Sequence, residues 1–160
     1  RTPMQWTDGS GAGFTSGEPW LPIAPDSEEV NVARQQDEPD SMLTLVRELL
    51  TLRRSSAALH KGDYYPVRVP DADAVLAYRR EHGDEELLVL LNLDRHPLEL
   101  KREDLLHGTR GRRLAEVLLS TLPDRRGEDP QSGSEEGATL RLEGDEGLVI
   151  RLAADSALLD

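Results

Sequence analysis

The chain has 160 residues, a formal net charge of −12 and no cysteine. Such acidity argues against binding to nucleic acid or to anionic membrane surfaces, because both are recognised by basic side chains. The lack of cysteine excludes a disulfide framework and any thiolate metal site or nucleophile. No apolar run approaches the ~18 residues of a membrane span. We expect a cytoplasmic protein made of one domain, or of one domain and part of another.

Residues 1–40 predict a long irregular loop. Glycine and proline interrupt this stretch too often for a helix or a central strand. A structureless connection of this length is usually functional or disordered, and apolar residues at intervals argue against disorder. We therefore expect an ordered loop that lines a site on a rigid scaffold. Its expected anchors are Met4, Trp6, Phe14, Trp20, Leu21, Ile23, Val30 and Val32.

An amphipathic helix is predicted over residues 41–54. Apolar residues recur there at the i, i+3, i+4, i+7 spacing that forms one stripe along a helix. Asp40 or Ser41 can cap its start, and Gly62 closes the segment that follows. We expect the surface against which the stripe packs to lie outside this chain. The stripe consists of Met42, Leu45, Val46, Leu49 and Leu52.

From residue 63 onward the pattern predicts short strands separated by turn residues. The run from Leu87 to Leu91 is apolar throughout, which predicts a central strand buried on both faces. Strands of this length and spacing are typical of an antiparallel sandwich or barrel. Residues 123–137 have no apolar anchor and predict a mobile hairpin loop without chemistry. The predicted strands are 64–69, 74–80, 86–93, 97–100, 113–119, 138–142 and 148–152.

No group of residues has the spacing of a catalytic or metal site. The acidic clusters at 28–29, 71–73 and 84–86 lie beside turns, so they predict solvated carboxylates rather than a catalytic pair. The histidines are scattered, and we expect exposed turn residues rather than metal ligands. We predict no catalytic residue, no metal and no cofactor in this chain. The histidines are His60, His82, His96 and His107.

Arg1 is the best candidate for a binding residue. Its planar fork of five donors can bridge a carboxylate and the hydroxyls of a sugar. Pro3 would stiffen the turn after it, and Trp6, Phe14 and Trp20 could pack the loop or stack on a sugar face. Judged from the residues alone, an arginine that merely packs the loop among core aromatics is the somewhat stronger alternative.

Motifs in the first 62 residues favour the binding role of Arg1 over the packing role. Their order and spacing resemble the alpha-glucosidase and oligo-1,6-glucosidase branch of the alpha-amylase superfamily, glycoside hydrolase family 13. The strand-rich remainder resembles the C-terminal domain of that family in pattern only, with residues 147–152 similar to its closing strand. The motifs are Arg1-Thr2-Pro3-Met4-Gln5-Trp6, Ala12-Gly13-Phe14-Thr15, Gly17-Glu18-Pro19-Trp20, Val30-Asn31-Val32, residues 37–41 and Leu52-Arg53.

The resemblance implies an α+β fragment. Residues 1–62 would be the end of a catalytic (β/α)8 barrel, with the loop after its last strand and its final helix. Residues 63–160 would form an antiparallel, Greek-key-like β-sandwich as a C-terminal domain. Arg1 would bind the non-reducing glucose of an α-glucosidic oligosaccharide or disaccharide. In the family the catalytic carboxylates and the calcium loop lie upstream of this motif. The implied partner is therefore the missing N-terminal part of the same enzyme, and this chain alone would be inactive.

Three hypotheses about function stay open. In the first, the chain is the C-terminal part of a retaining, exo-acting α-glucosidase that hydrolyses terminal α-linked glucose from short oligosaccharides. In the second, the parent transfers or isomerises glucosyl units of sucrose, maltose or trehalose. In the third, the chain is a non-enzymatic β-sandwich that stabilises or binds carbohydrate. The scarcity of aromatic residues beyond residue 62, only Tyr64, Tyr65 and Tyr78, counts against that last hypothesis.

Overall fold

The structure is a computed structural model that describes residues 1–109, 111–130 and 139–155. It forms two compact units, Arg1–Thr51 and Leu52–Asp160. No described helix is long and apolar enough to cross a membrane. The helices are α1 Val32–Asp37, α2 Met42–Ser55, α3 Ala57–Lys61 and α4 Arg102–Leu105, with 3₁₀ turns at Ser10–Gly13 and Pro123–Arg125. The strands are β1 Asp63–Val67, β2 Val75–His82, β3 Glu85–Asn92, β4 Leu98–Lys101, β5 Arg112–Ser120, β6 Thr139–Leu142 and β7 Gly147–Ala154.

The first unit is held mainly by backbone hydrogen bonds. The Trp6 N–H donates to the Ala12 carbonyl at 2.8 Å and closes a loop around the 3₁₀ turn at Ser10–Gly13. The Gln5 carbonyl accepts from the Val32 N–H at 2.9 Å, which ties the beginning of the chain to α1. These bonds satisfy backbone groups that a loop would otherwise leave to water.

Helix α1 corrects the prediction that residues 1–40 are irregular throughout. The Asn31 side chain accepts a hydrogen bond from the Arg34 N–H, so it caps the helix from an extended backbone conformation. Asparagine is a favoured cap because its oxygen satisfies one of the free donors of the first turn. A helix of six residues is too short to show a hydrophobic period, which is why the pattern did not reveal it.

The expected anchors of this loop are largely exposed, so that part of the prediction is wrong. Trp20 is 83% exposed, Phe14 52% and Trp6 48%, and Met4 and Val30 are exposed as well. Their rings and aliphatic groups do not form a core for the first unit. The loop is therefore held by its hydrogen bonds, and its large apolar side chains remain available as contact surface.

Helix α2 begins where the sequence predicts, and its cap is Ser41 rather than Asp40. The Ser41 Oγ accepts from the Thr44 N–H at 3.2 Å and donates to the Gln35 carbonyl at 2.7 Å. No residue of α2 is buried. Three of the five residues of the predicted apolar stripe are exposed within the described chain, and Leu45 and Leu52 are partly buried. The large apolar side chains exposed along the helix are Met42, Val46, Leu49 and Leu50.

The second unit contains two antiparallel sheets. The larger has the strand order β1-β2-β3-β7-β5, and the smaller pairs β4 with β6. All seven predicted strands are present, with bounds that differ from the prediction by up to two residues. Strand β3 is the middle of the larger sheet, and its residues 86–90 are all buried. The prediction of a central strand buried on both faces is thus confirmed.

An aliphatic core connects the two sheets. Each fully buried side chain of this kind contributes about 1.5–3 kcal/mol. The opposite face of the larger sheet is covered by α3, which lies over β2 and β3. Ala58 of that helix is fully buried, and its N–H donates to the Glu85 carboxylate at 2.9 Å. The core includes Leu88, Leu90, Leu148 and Ile150 of the larger sheet and Leu100, Leu140 and Leu142 of the smaller.

Residues 123–130 correct the prediction of a mobile loop. Arg125 forms an ion pair with Glu146 at 2.7 Å, and the Glu146 side chain is fully buried. The Gly127 N–H donates to the Val117 carbonyl at 2.9 Å, which extends the sheet contacts into this segment. A segment without apolar anchors is held here by a charge, which hydrophobic pattern cannot show. Residues 131–137 and the predicted strand start at residue 138 lie outside the described residues.

The packing around Gly144 gives a prediction about stability. A Cβ at this position would lie 2.1 Å from the Arg95 carbonyl oxygen, a backbone atom that cannot move aside. We expect Gly144→Ala to lower the free energy of unfolding by about 3 kcal/mol, at the upper end of overpacking effects. Urea denaturation followed by far-UV circular dichroism measures this loss.

Gly83→Ala is the matched control for Gly144→Ala. No atom lies within 4 Å of its Cβ position, so its only cost comes from a positive φ of 61°. That conformation costs about 1–2 kcal/mol for a residue with a side chain. Equal losses of stability in the two variants would contradict the close approach at Gly144.

Candidate functional site

The opening loop, residues 1–17, is shaped by three successive residues in the left-handed region. They are Gly11, Ala12 and Gly13, with φ of 66°, 52° and 65°. Ala12 is 2% exposed, and its conformation costs about 1–2 kcal/mol because it carries a Cβ. A Cβ at Gly13 would lie 3.3 Å from the Cβ of Trp6, so the loop closes tightly on itself. Backbone strain of this kind tends to occur at functional sites.

Two side-chain amides hold the segment of residues 26–34, and the Gln5 amide ties that segment to the opening loop. Gln5 Nε2 donates to the Val30 carbonyl at 2.6 Å and to Asp26 Oδ1 at 3.2 Å. Asn31 is 4% exposed, and its Nδ2 donates to the Ser27 carbonyl at 3.0 Å. Neither amide was predicted to have a structural role. The asparagine cap has a local signal in its position before a helical turn, whereas the contacts of Gln5 span 21 and 25 residues and have none.

Arg1 is exposed at the start of this loop. Its guanidinium has no hydrogen-bond or ion-pair partner among the residues that the structure describes. Trp6 and Phe14 in the same loop are about half exposed, at 48% and 52%. The loop thus offers a free planar cation and two accessible aromatic rings, groups that suit polar ligands with apolar faces. The role of Arg1 as a substrate-binding residue stays a prediction.

One acidic cluster departs from the predicted solvated state. Asp84 is exposed, but Glu86 is only 4% exposed. Its carboxylate is paired with two arginines, Arg79 through Oε1 and Arg112 through Oε2, the latter at 3.1 Å. The three residues belong to β2, β3 and β5, and only the sheet brings them together. This cluster has no signal in the sequence, because a carboxylate next to a turn does not reveal on which face of the sheet its side chain will lie.

The four histidines are exposed, as the sequence predicts. His96 Nδ1 lies 2.7 Å from Asp94 Oδ1, and hydrogen bonds from the backbone N–H and the ring of His96 lower the pKa of Asp94. These contacts stabilise a turn between β3 and β4. Within residues 1–109, 111–130 and 139–155, no three potential ligands are grouped as a metal site.

Known proteins resemble this chain in sequence. Residues 1–62 match the family model described as "Alpha amylase, catalytic domain". Over 95 residues the chain is 40% identical to the probable oligo-1,6-glucosidase 2 of Bacillus subtilis (strain 168). That match covers 59% of this chain and 17% of the relative. The chain therefore spans about a sixth of the length of the curated relatives it matches.

Solved structures resemble the chain over most of its length. The trehalulose synthase from Pseudomonas mesoacidophila MX-45 is 31% identical, with a TM-score of 0.79 over 96% of this chain and 25% of that one. A mutant isomaltulose synthase from Erwinia rhapontici NX5, in complex with its natural substrate sucrose, is 29% identical, with a TM-score of 0.76. That second match covers 94% of this chain and 24% of the other. The likeness includes the strand-rich part beyond residue 62.

Removal of the Asn31 amide tests how the start of α1 is held. Asn31→Ala removes the oxygen that accepts from the Arg34 N–H at 3.0 Å. It also removes the Nδ2 group that donates to the Ser27 carbonyl before α1. We expect the local stability to fall by about 1–2 kcal/mol, which makes exchange of the Arg34 amide about 5–30 times faster. Hydrogen exchange followed by NMR measures the exchange rate of the Arg34 amide. Asn31→Asp keeps the acceptor and loses the donors, so its effect should be smaller. Unchanged exchange in Asn31→Ala would show that the start of α1 does not depend on this amide.

Proposed function

The chain belongs to the alpha-amylase family, in its oligo-1,6-glucosidase branch, and on that premise we propose that it is the C-terminal part of a retaining, exo-acting α-glucosidase. The parent enzyme would hydrolyse terminal α-linked glucose from short oligosaccharides in the cytoplasm, without a cofactor. The observation that carries this proposal is the match of residues 1–62 to a catalytic domain, together with the similarity to an oligo-1,6-glucosidase.

We assign residues 1–62 to the end of the catalytic (β/α)8 barrel and residues 63–160 to a C-terminal, Greek-key-like β-sandwich. The exposed stripe of α2 supports the first assignment, since Met42 is 65% exposed and Val46 42%. A barrel helix buries such a stripe against its strands, which contributes about 1.5–3 kcal/mol for each large side chain. The antiparallel pairing of all seven described strands supports the second assignment.

We assign Arg1 to substrate binding. Active sites of such barrels are built from the loops that follow the strands, and the opening loop would be one of them. The free guanidinium would bind sugar hydroxyls and pair with a carboxylate of the rest of the enzyme. The hydrogen bonds of Gln5 and the turn at Ala12 would hold this loop in position before substrate arrives. Such preorganisation lowers the entropic cost of binding.

We assign no acidic residue of this chain to catalysis. Glycoside hydrolysis needs two carboxyl groups that face one bond, about 5–9.5 Å apart, one of them free to exchange a proton. The buried carboxylates Glu86 and Glu146 are both paired with arginine. Both oxygens of each carboxylate already have partners, so neither group is free to face a glycosidic bond as a general acid or as a nucleophile. The catalytic pair would come from the remainder of the enzyme.

A parent that isomerises its substrate is the second candidate. It is favoured by the likeness to trehalulose and isomaltulose synthases, one of them in complex with sucrose. The two candidates differ in their products. When the longer enzyme is incubated with sucrose and with isomaltose, free glucose as the main product supports hydrolysis. A rearranged disaccharide from sucrose supports isomerisation.

Substitution of Arg1 in the longer enzyme tests its assignment. Loss of the guanidinium would leave a buried carboxylate without its partner. We expect Arg1→Ala to cost about 2–5 kcal/mol in transition-state binding, at least about 30-fold in kcat/KM. The kcat/KM of Arg1→Lys should lie between the values of Arg1→Ala and of the unchanged enzyme, because lysine keeps the positive charge but lacks the planar guanidinium. Arg47→Ala, an exposed arginine off the stripe of α2, is the control. An unchanged kcat/KM for Arg1→Ala would remove Arg1 from the site.

The isolated chain of 160 residues should have no hydrolytic activity. We expect no turnover of p-nitrophenyl α-glucoside above the buffer rate, since the chain would contribute binding without the catalytic pair. Release of p-nitrophenol is followed by absorbance, and the longer enzyme is the positive control. Turnover by the isolated chain that disappears in Glu86→Gln or Glu81→Gln would contradict the assignment of catalysis to another part of the enzyme.

A further inference from the structure

A pocket of about 520 Å³ opens on the larger sheet of the second unit. Strand register places its residues on the inner face, because side chains directly opposite each other on paired strands share a face. Tyr65 on β1 is opposite Arg79 on β2, and Arg79 is opposite Leu88 of the core. Glu81 is opposite Glu86 in the same way. The pocket therefore lies where the aliphatic inner face of the sheet becomes charged.

The floor of this pocket is the ion-paired cluster of Glu86. Arg79 is 8% exposed, and its guanidinium lies over the Tyr65 ring, 5.5 Å from the ring centre. Its Nη2 is 3.4 Å from the Gly108 carbonyl, and Arg112 closes the cluster from β5. A buried ion pair contributes little to stability, because the loss of hydration offsets the attraction. The cluster thus adds an ordered polar surface rather than a large gain in stability.

Two polar groups of the pocket wall, the Glu81 carboxylate and the Tyr65 hydroxyl, are available to form hydrogen bonds with a ligand. Glu81 is half-buried, and in the part of the chain that the structure describes its carboxylate has no hydrogen bond or ion pair. The Tyr65 hydroxyl likewise has no hydrogen-bond partner there, and the residue is 39% exposed. The Arg112 side chain is 21% exposed. The pocket therefore presents an acceptor, a phenol and a guanidinium beside an accessible ring.

The charges of the pocket decide between classes of ligand. The described residues that line the pocket include two arginines, Arg79 and Arg112, and two glutamates, Glu81 and Glu86, so their formal charges sum to zero. An anion would face the Glu81 carboxylate, and a cation would face the arginines. A neutral hydroxyl can donate to the carboxylate and accept from a guanidinium at the same time. A pocket of this size lies within the range of small-ligand sites.

We propose that this pocket binds a neutral sugar unit. The Glu81 carboxylate accepts hydrogen bonds from the sugar hydroxyls, while Arg112 and the Tyr65 hydroxyl donate to them. The inference goes beyond the proposed function, because it adds a second sugar-binding site made of residues other than those of the opening loop. It does not depend on the role of Arg1.

Titration of the full 160-residue chain tests this site. The ¹⁵N-labelled protein is titrated with maltose and with isomaltose, and amide shifts are followed by NMR. We expect shifts at Glu81, Gly108 and Ala154, with a Kd of about 1–10 mM for so small a contact. Glu81→Ala should weaken binding about five- to tenfold, and Tyr65→Phe should weaken it less. Asp84→Ala is the matched control, since it removes a carboxylate of the adjoining turn that does not line the pocket.

Three results would overturn the proposal. One is the absence of shifts at the pocket, or equal binding by Glu81→Ala and the unchanged protein. Another is a set of shifts confined to the opening loop. The third is a larger response of the same amides to phosphate than to either sugar, which would make the pocket an anion site. None of these bears on Arg1, whose assignment is tested separately by kcat/KM of the longer enzyme.

Discussion

The burial of β3 on both faces is the constraint on which the second unit depends. This strand pairs with β2 on one side and β7 on the other, and both of its faces are covered. Its apolar run could slip by one residue and still present leucine or valine to either face, so the run alone does not specify its register. Polar residues at its two ends supply that information. Glu86 meets its arginines on the inner face, and the Asn92 Nδ2 donates to the carbonyls of His96 and Glu143 at 2.9 and 2.8 Å.

The two units are stabilised by different kinds of interaction. The second has an aliphatic core, whereas the first depends on hydrogen bonds of its backbone and of the Gln5 and Asn31 amides. Hydrogen bonds contribute about 0.5–1.5 kcal/mol each, less than a buried large side chain. The exposed tryptophans and the stripe of α2 add an apolar surface to the first unit. Under the proposed function, this apolar surface is the one that the rest of the enzyme would cover.

Buried carboxylates occur in two distinct settings. Glu146 is fully satisfied, with Arg125 at 2.7 Å, the Ser120 hydroxyl at 2.8 Å and the Glu143 N–H at 2.8 Å. Nothing in that arrangement is left for a ligand, and its effect is to anchor the segment after β5. Glu86 is also paired, but it lies beside an open pocket whose wall contains the carboxylate of Glu81, which has no hydrogen bond or ion pair with any described residue. The Glu146 cluster is therefore a structural ion pair, whereas the pocket beside Glu86 has polar groups available for a ligand and is a candidate binding surface.

The sequence by itself determined the features that depend on local pattern. Helix α2, all seven strands and the central position of β3 follow from hydrophobic period and turn residues. The family follows from the motifs around Arg1 and the opening loop. Only the tertiary structure decided that Glu86 is buried, that Arg125 holds a segment without apolar anchors, and that the tryptophans of the first unit are exposed. The first two outcomes depend on which distant strands lie side by side, and the third depends on whether any other part of the chain packs over the rings. A carboxylate or a ring gives no local sign of its eventual neighbours.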